Sequence, residues 1–180
     1  MTLEYTLFAL SLIATNNAVF SGDFAAMGTV ILQCLVLLLL ALISLIDADK
    51  MVIPNSLSIA LLACGILAIF VMPEITITSR FIGLACVSLP LLLISLLFPG
   101  SFGGGDVKLM AAAGFLLGWQ NTLIAACIGL IIGGIYGVYL MAFGKKSTKE
   151  HFAFGPALCV GIALALFFGP QIGGWYPGFL

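Results

Sequence analysis

Charged side chains are scarce in this sequence. Asp, Glu, Lys and Arg make up 7% of its 180 residues, whereas 63% of the residues are hydrophobic. Soluble domains carry about 25% charged residues, so a water-soluble globule is excluded. A mean hydropathy of +1.30 instead indicates a protein surrounded by membrane lipid. The formal net charge of -1 argues against nucleic acid as a partner, because nucleic-acid binding calls for a basic surface.

Motifs for several kinds of chemistry are missing. The five cysteines stand alone inside apolar runs and form no CxxC pair, which argues against a zinc site or a thioredoxin-like site. The single His and the lack of HExxH and GxSxG argue against common metalloprotease and serine hydrolase chemistry. The glycine-rich stretch before Asp106 lacks the Lys-Ser/Thr pair of a phosphate-binding loop. We therefore expect no metal and no cofactor.

Apolar runs dominate what is present. A helix needs roughly 20 residues to cross the hydrocarbon core, and five runs are close to that length: 29–46, 56–72, 81–98, 121–143 and 152–169. A weaker run at 3–20 is interpreted as a retained first span, because Glu4 stands where a secretory signal would be basic. A shorter helix is predicted over 107–119. Since lipid leaves backbone groups no outside partner, we predict an all-α, polytopic membrane bundle of about six to seven transmembrane helices.

Asp47 and Asp106 are predicted to lie at one membrane face. Two spans, 56–72 and 81–98, separate them, and two crossings return the chain to the face that it left. Cytoplasmic loops are enriched in Lys and Arg. The densest basic cluster is therefore expected in the cytoplasm, and it consists of Lys145, Lys146 and Lys149.

The segment between Asp106 and this lysine cluster allows two arrangements. If 107–119 and 121–143 are separate passes joined by a turn at 118–121, the lysines share the face of the two aspartates, and Arg80 lies at the opposite face. If the segment is a single pass, the lysines and the aspartates lie on opposite sides. We favour the first arrangement.

Ionisable residues at a membrane boundary are costly and are functional candidates. Two carboxylates held close in a partly dry site, as Asp47 and Asp106 would be, share a proton. The charged member can then activate water while the neutral member protonates a leaving amine. The residues alone leave the alternative open that both are solvated helix caps, and this second interpretation is favoured for Asp49.

The residues around Asp106 have two interpretations each. Gly103, Gly104 and Gly105 permit backbone conformations closed to other residues and a close approach of an extended substrate, but a glycine-rich loop is also a plain connector. Lys108 could hold Asp106 in its charged form. The favoured interpretation is that Lys108 marks the membrane boundary by extending its ammonium group to the polar surface.

Three segments together resemble the type IV prepilin peptidases. Residues 46–55 (IDADKMVIPN) resemble the first aspartate motif of that family, and residues 103–109 (GGGDVKL) resemble its GxGD motif. Residues 154–158 (FGPAL) are similar to its FGP segment, and a Gly-Trp pair at 118–119 follows the GxGD helix. The motifs occur in the family's order over most of the chain.

The resemblance implies a single membrane peptidase domain over 1–180. Such a domain would cleave the basic leader from type IV prepilins or pseudopilins at the cytoplasmic face of the bacterial inner membrane. Asp47 and Asp106 would be the catalytic pair. Supporting or substrate-binding roles would fall to Asp49, Gly103, Gly105 and Lys108. The substrate would bring an apolar N-terminal helix that docks among the spans, and no cofactor would be needed.

Longer family members carry a cysteine-rich insert near the N-terminus, and many of them also N-methylate their product with S-adenosylmethionine. Here only residues 1–28 precede the run at 29–46, and no CxxC pair exists. The sequence therefore resembles a short form, and this departure argues against N-methyltransferase activity.

Two other functions are compatible with the composition. A small ion- or proton-coupled transporter would use edge carboxylates, although transporters favour ionisable groups or broken helices near the midplane. A scaffold subunit would use neither aspartate for chemistry.

Overall fold

A computed structural model of the protein describes residues 24–97, 103–142 and 154–173. These residues contain helices and no strand, which confirms the all-α prediction. The helices are α1 (Phe24–Lys50), α2 (Asn55–Val71), α3 (Ile77–Cys86), α4 (Ser88–Leu97), α5 (Gly104–Ala142) and α6 (Gly155–Gly173).

The described helices are long and apolar enough for a polytopic membrane protein. Three segments could cross a membrane by length and composition: Met27–Lys50, Ile77–Leu97 and Gly104–Tyr139. Two shorter apolar helices, α2 and α6, complete the bundle. The predicted first span at 3–20 lies outside the described residues.

Helix α1 extends four residues beyond the predicted run, so Asp47 and Asp49 belong to its last turn and not to a loop. The helix ends at Met51, which adopts a left-handed φ of 53°. The Met51 N–H donates to the carbonyl of Asp47 at 2.8 Å. A left-handed residue directly after a helix satisfies one of its last carbonyls, and this turn places Ile53 beside the start of α5.

The predicted span at 81–98 is two helices. α3 and α4 meet at Val87, and Pro90 follows in the first turn of α4. Proline has no N–H to donate to the carbonyl four residues earlier and its ring crowds that carbonyl, so the helix breaks here. The Ser88 hydroxyl donates to the Leu84 carbonyl across the junction.

Helix α5 contains a sharp break at Gly118, where φ is 75° and ψ is 168°. A Cβ at this position would lie 2.7 Å from Ser79 Oγ and 2.9 Å from Ile75 Cγ2. Both the positive φ and the close contacts require glycine. The next residue, Trp119, donates its N–H to Ser79 Oγ at 3.4 Å. The break divides α5 into a first arm, 104–117, and a second arm, 119–142.

The second arm returns toward the face at which the first arm begins. Helix α6 starts at Gly155 against Asp47. Phe154, just before α6, packs on Gly133 near the end of the second arm, and Gly169 of α6 packs on Asn121 near its start. Helix α6 therefore runs antiparallel to the second arm. The chain therefore leaves the second arm at the Asp47 face. This is the two-pass arrangement favoured above.

Arg80, on α3, lies at the opposite end of the bundle from the two aspartates, as predicted. Its side chain is fully buried where α3 packs against α2 and the first arm of α5. The guanidinium donates to the carbonyls of Ala68 and Met72, both at 2.9 Å, and to those of Phe115 and Leu116 at 3.3 and 3.0 Å. These carbonyls belong to the C-terminal ends of α2 and of the first arm, where a cation is favoured. The Arg80 Nε is buried without a partner among the described residues.

Candidate active site

The Asp47 side chain is buried at the end of α1, with 5% of its surface exposed. Its Oδ2 accepts a hydrogen bond of 2.9 Å from the backbone N–H of Gly155. Gly155 is the first residue of α6, and the unpaired N–H groups of a helix N-terminus stabilise a carboxylate. A Cβ on Gly155 would lie 2.5 Å from Asp47 Oδ2, so this approach needs a glycine.

The Asp106 side chain is 6% exposed at the third position of α5. Its Oδ2 accepts from the N–H of Gly103 at 3.2 Å, and the Asp106 N–H donates back to the Gly103 carbonyl at 3.0 Å. An acidic residue at this position often reaches back to the residue that precedes the helix. Asp106 is therefore both a helix-start residue and a buried carboxylate.

The fold brings the Asp47 and Asp106 carboxyl groups within the range at which the charge of one acts on the other. The charge of Asp47 acts on Asp106, and the charges of both act on the thiol of Cys159, which is buried on α6. In each carboxyl group the Oδ2 oxygen accepts a hydrogen bond from a backbone N–H, of Gly155 for Asp47 and of Gly103 for Asp106. An arrangement of two buried carboxyl groups can hold one proton between them and accept another from water.

The three glycines before Asp106 differ in what surrounds them. None of them has a positive φ, so the expectation of unusual backbone conformations is wrong here. Close approach does explain Gly105, where a Cβ would lie 2.9 Å from the Cβ of Ile53. At Gly103 a Cβ would lie 3.3 Å from Asp106 Oδ2, and at Gly104 it would meet nothing within 4 Å. Only Gly104 therefore has open space in front of it.

Asp49 and Lys108 are not drawn into the carboxylate pair. Asp49 is exposed on α1, and its supporting role stays a prediction. Lys108 is also exposed, and its Nζ donates to Asn55 Oδ1 at 2.9 Å. This contact links the starts of α5 and α2 and does not involve Asp106. It favours the boundary interpretation of Lys108.

Metal ligation has no support in the described part of the chain. No group of three His, Cys, Asp or Glu side chains lies close enough there to hold a metal ion.

Sequence reasoning missed two residues of this site. Gly155 was noticed only as part of the FGP resemblance, although it supplies the N–H that holds Asp47. Cys159 was considered only as one of five isolated cysteines, although it lies one helical turn further along α6, where the charges of both carboxylates act on its thiol. In the sequence, the FGP segment near the start of the run at 152–169 was the feature that could have indicated both residues.

Comparison with known proteins shows which family this chain is similar to. The model of the type IV leader peptidase family matches residues 34–138. The prepilin leader peptidase/N-methyltransferase of Legionella pneumophila is 34% identical over 145 residues, which cover 74% of this chain and 48% of that protein. The Bacillus subtilis protein of the same name is 31% identical over 77% of this chain and 56% of its own length.

A third relative, from Aeromonas salmonicida and with the same name, is 32% identical over 83% of this chain and 53% of its own length. The chain thus spans about half the length of the curated relatives it matches. No solved structure gives a significant match.

Proposed function

The chain belongs to the type IV leader peptidase family, and from this premise we propose that it is a membrane-embedded aspartyl endopeptidase. Its substrates would be type IV prepilins or pilin-like secretion proteins, from which it removes the leader peptide. Asp47 and Asp106 would form the catalytic pair. The names of the relatives, prepilin leader peptidase/N-methyltransferase, support the reaction, and the two buried carboxylates support the residue assignment.

The observation that carries the proposal is the shared environment of two acids 59 positions apart in the sequence. Both side chains are at least nine-tenths buried, and each receives one backbone N–H, from Gly155 and from Gly103. Two such carboxylates repel each other if both are charged. Sharing one proton relieves this repulsion and leaves one base and one acid in the same site.

The proposed reaction uses these two states directly. The charged carboxylate removes a proton from water while the water oxygen bonds to the scissile carbonyl carbon. The protonated carboxyl group donates to the carbonyl oxygen and so stabilises the tetrahedral intermediate. When the C–N bond breaks, a carboxyl proton passes to the departing amine. The backbone bonds from Gly155 and Gly103 hold each carboxylate in place throughout, because they do not use the reacting protons.

The surroundings suit a peptide with a basic leader followed by an apolar helix. An extended backbone could approach α5 at Gly104, where the space is open. The exposed Asp49 would attract the basic leader, and the apolar segment would lie in lipid against the bundle. S-adenosylmethionine and the N-methyltransferase activity named in the relatives are not part of this proposal.

We place the site at the cytoplasmic face of the bacterial inner membrane. The second arm of α5 runs back to the Asp47 face, and Lys145, Lys146 and Lys149 follow it in the sequence. Basic loops are retained in the cytoplasm, which supports this orientation.

The transporter alternative is less well supported. The buried charged side chain at the other end of the bundle, Arg80, is bound by four carbonyls at two helix ends. It therefore has a structural role and marks no ion pathway.

Co-expression of the chain with a prepilin tests the proposal. Asp47→Asn and Asp106→Asn each keep an oxygen for the Gly155 or Gly103 N–H, so both variants should insert normally. Each should nevertheless abolish the mobility shift and the new N-terminus that cleavage produces. Glu74→Gln, at an exposed turn near Arg80, is the control and should cleave normally. Full processing by both aspartate variants would reject the catalytic pair.

A further inference from the structure

An open groove lies between α2, α3 and the first arm of α5, apart from the two carboxylates. Its volume is about 410 Å³, within the range of small-molecule sites, which is about 300–1,000 Å³. Its walls are mostly apolar and include Ile59, Leu62, Leu84 and Ala111. Ile59 is 65% exposed, so the groove opens on the outer surface of the bundle, which in a membrane is lined by lipid.

One end of the groove carries a positive charge. Lys108 and Asn55 line it there, joined by the 2.9 Å bond from Lys108 Nζ to Asn55 Oδ1. An ammonium group has three donors and an amide nitrogen has two. The amide oxygen is a neutral partner and does not itself compensate the lysine charge. This end of the groove therefore offers donors and a charge suited to an anion.

A polar group also lies in the wall of the groove. Ser58 lines it one helical turn after Asn55, and its hydroxyl is buried without a hydrogen-bond partner in the described part of the chain. A buried hydroxyl without a partner is costly. A ligand whose hydrogen-bond acceptor lies about one helical turn from its anionic group would give the Ser58 hydroxyl a partner after a small rotation of that side chain.

From this combination we infer that the groove binds one anionic glycerophospholipid. The phosphate would bind Lys108 and Asn55, an ester carbonyl would accept from Ser58, and an acyl chain would lie along Ile59, Leu62 and Leu84. Basic pockets between membrane helices at the cytoplasmic side are typical sites for such headgroups. A groove that opens to the bilayer also faces lipid at high local concentration. The site would connect α2 to α5 two residues after Asp106.

Native mass spectrometry of the full chain, purified in a neutral detergent, tests the inference. Phosphatidylglycerol and phosphatidylcholine with identical acyl chains are added in equal amounts. The wild type should retain phosphatidylglycerol at least about fivefold more than phosphatidylcholine, which is the effect of about one lysine near a headgroup. Lys108→Met should remove this preference. The matched control, Lys50→Met, alters another exposed lysine outside the groove and should keep it.

Thermal unfolding of the same samples separates a lipid site from a structural contact. Phosphatidylglycerol should raise Tm, whereas inorganic phosphate alone should not, because it cannot fill the apolar walls. Ser58→Ala should raise the Tm of the lipid-free protein, since it removes an unsatisfied hydroxyl, and should reduce the increment from phosphatidylglycerol. Asn55→Ala keeps the lysine charge and should keep the headgroup preference.

Equal retention of the two lipids by the wild type would overturn the inference. An equal loss of the phosphatidylglycerol preference in Lys108→Met and Lys50→Met would also overturn it. A Tm increment from phosphate alone would indicate an ion site without an acyl chain and would also overturn it. If Lys108→Met does not fold, Ile59→Trp provides the test, because a larger side chain at this exposed position narrows the groove. Unchanged phosphatidylglycerol retention in Ile59→Trp would then contradict the assignment.

Discussion

The Asp47 carboxylate accepts a 2.9 Å hydrogen bond from the backbone N–H of Gly155, 108 positions further along the chain. This bond joins the last turn of α1 to the first residue of α6. It holds one oxygen of a buried acid at a helix N-terminus, where negative charge is stabilised. The orientation of the proposed catalytic pair therefore depends on a residue with no side chain.

Gly155→Ala should inactivate the protein without changing either aspartate. The new Cβ would lie 2.5 Å from Asp47 Oδ2 and 2.8 Å from Asp47 Cγ, so the carboxylate must move and lose its donor. A displacement of about 1 Å at a catalytic group can reduce the rate about 100-fold. We expect a loss of this size in the initial rate of prepilin cleavage in proteoliposomes.

Gly134→Ala is the matched control for this change. Gly134 lies in the second arm of α5, and a Cβ there would meet nothing within 4 Å. Cleavage should stay near the wild-type rate, and helix stability should rise by about 1 kcal/mol. Wild-type cleavage by Gly155→Ala would contradict the positioning role of the Gly155 N–H.

Two neighbouring glycines should respond differently to alanine. Gly105→Ala places a Cβ 2.9 Å from the Cβ of buried Ile53, and overpacking of this kind costs about 1–3 kcal/mol. Gly104→Ala meets open space, so its Tm should match that of the wild type. If a substrate backbone approaches at Gly104, this variant should raise KM with little change in kcat. An unchanged KM would exclude that approach, and an unchanged Tm for Gly105→Ala would contradict the packing.

Arg80 should contribute to stability and not to the chemistry. Arg80→Met removes the donors to four carbonyls at the ends of two helices. Each buried acceptor that loses its donor costs about 1–3 kcal/mol, which should appear as a large decrease in Tm in detergent. Arg80→Lys should recover little of it, because a single ammonium cannot reach both helix ends. The matched control, Lys50→Met, changes an exposed cation and should leave Tm within error. A wild-type Tm for Arg80→Met would reject this role.

The rate of cleavage should decrease at both low and high pH. At low pH both carboxyl groups carry protons and no base remains, whereas at high pH both are ionised and no acid remains. The initial rate, measured in proteoliposomes between about pH 4 and about pH 9, should therefore be bell-shaped. Glu74→Gln should keep the same profile, because Glu74 lies in an exposed turn. A rate that stays constant through the acid range would exclude the shared proton.

The parts of the fold that local chemistry decides could be predicted from the sequence. Long apolar runs must form helices in lipid because their backbone groups have no other partners. Counting the spans between Asp47 and Asp106 placed both at one face. The glycine and asparagine near 118–121 indicated a turn, and the structure has it at Gly118.

The contacts between residues far apart in the chain could not be predicted from the sequence. Hydropathy describes each helix separately and contains no information on its rotation or its tilt against the others. Only packing brings the Gly155 N–H to Asp47, turns Lys108 toward Asn55, and buries Arg80 between the ends of two helices. The membrane helices and the membrane face that carries the acids therefore follow from the order of the residues. Which backbone groups hold those acids follows only from the packing, because it depends on distances of a few ångströms between elements far apart in the chain.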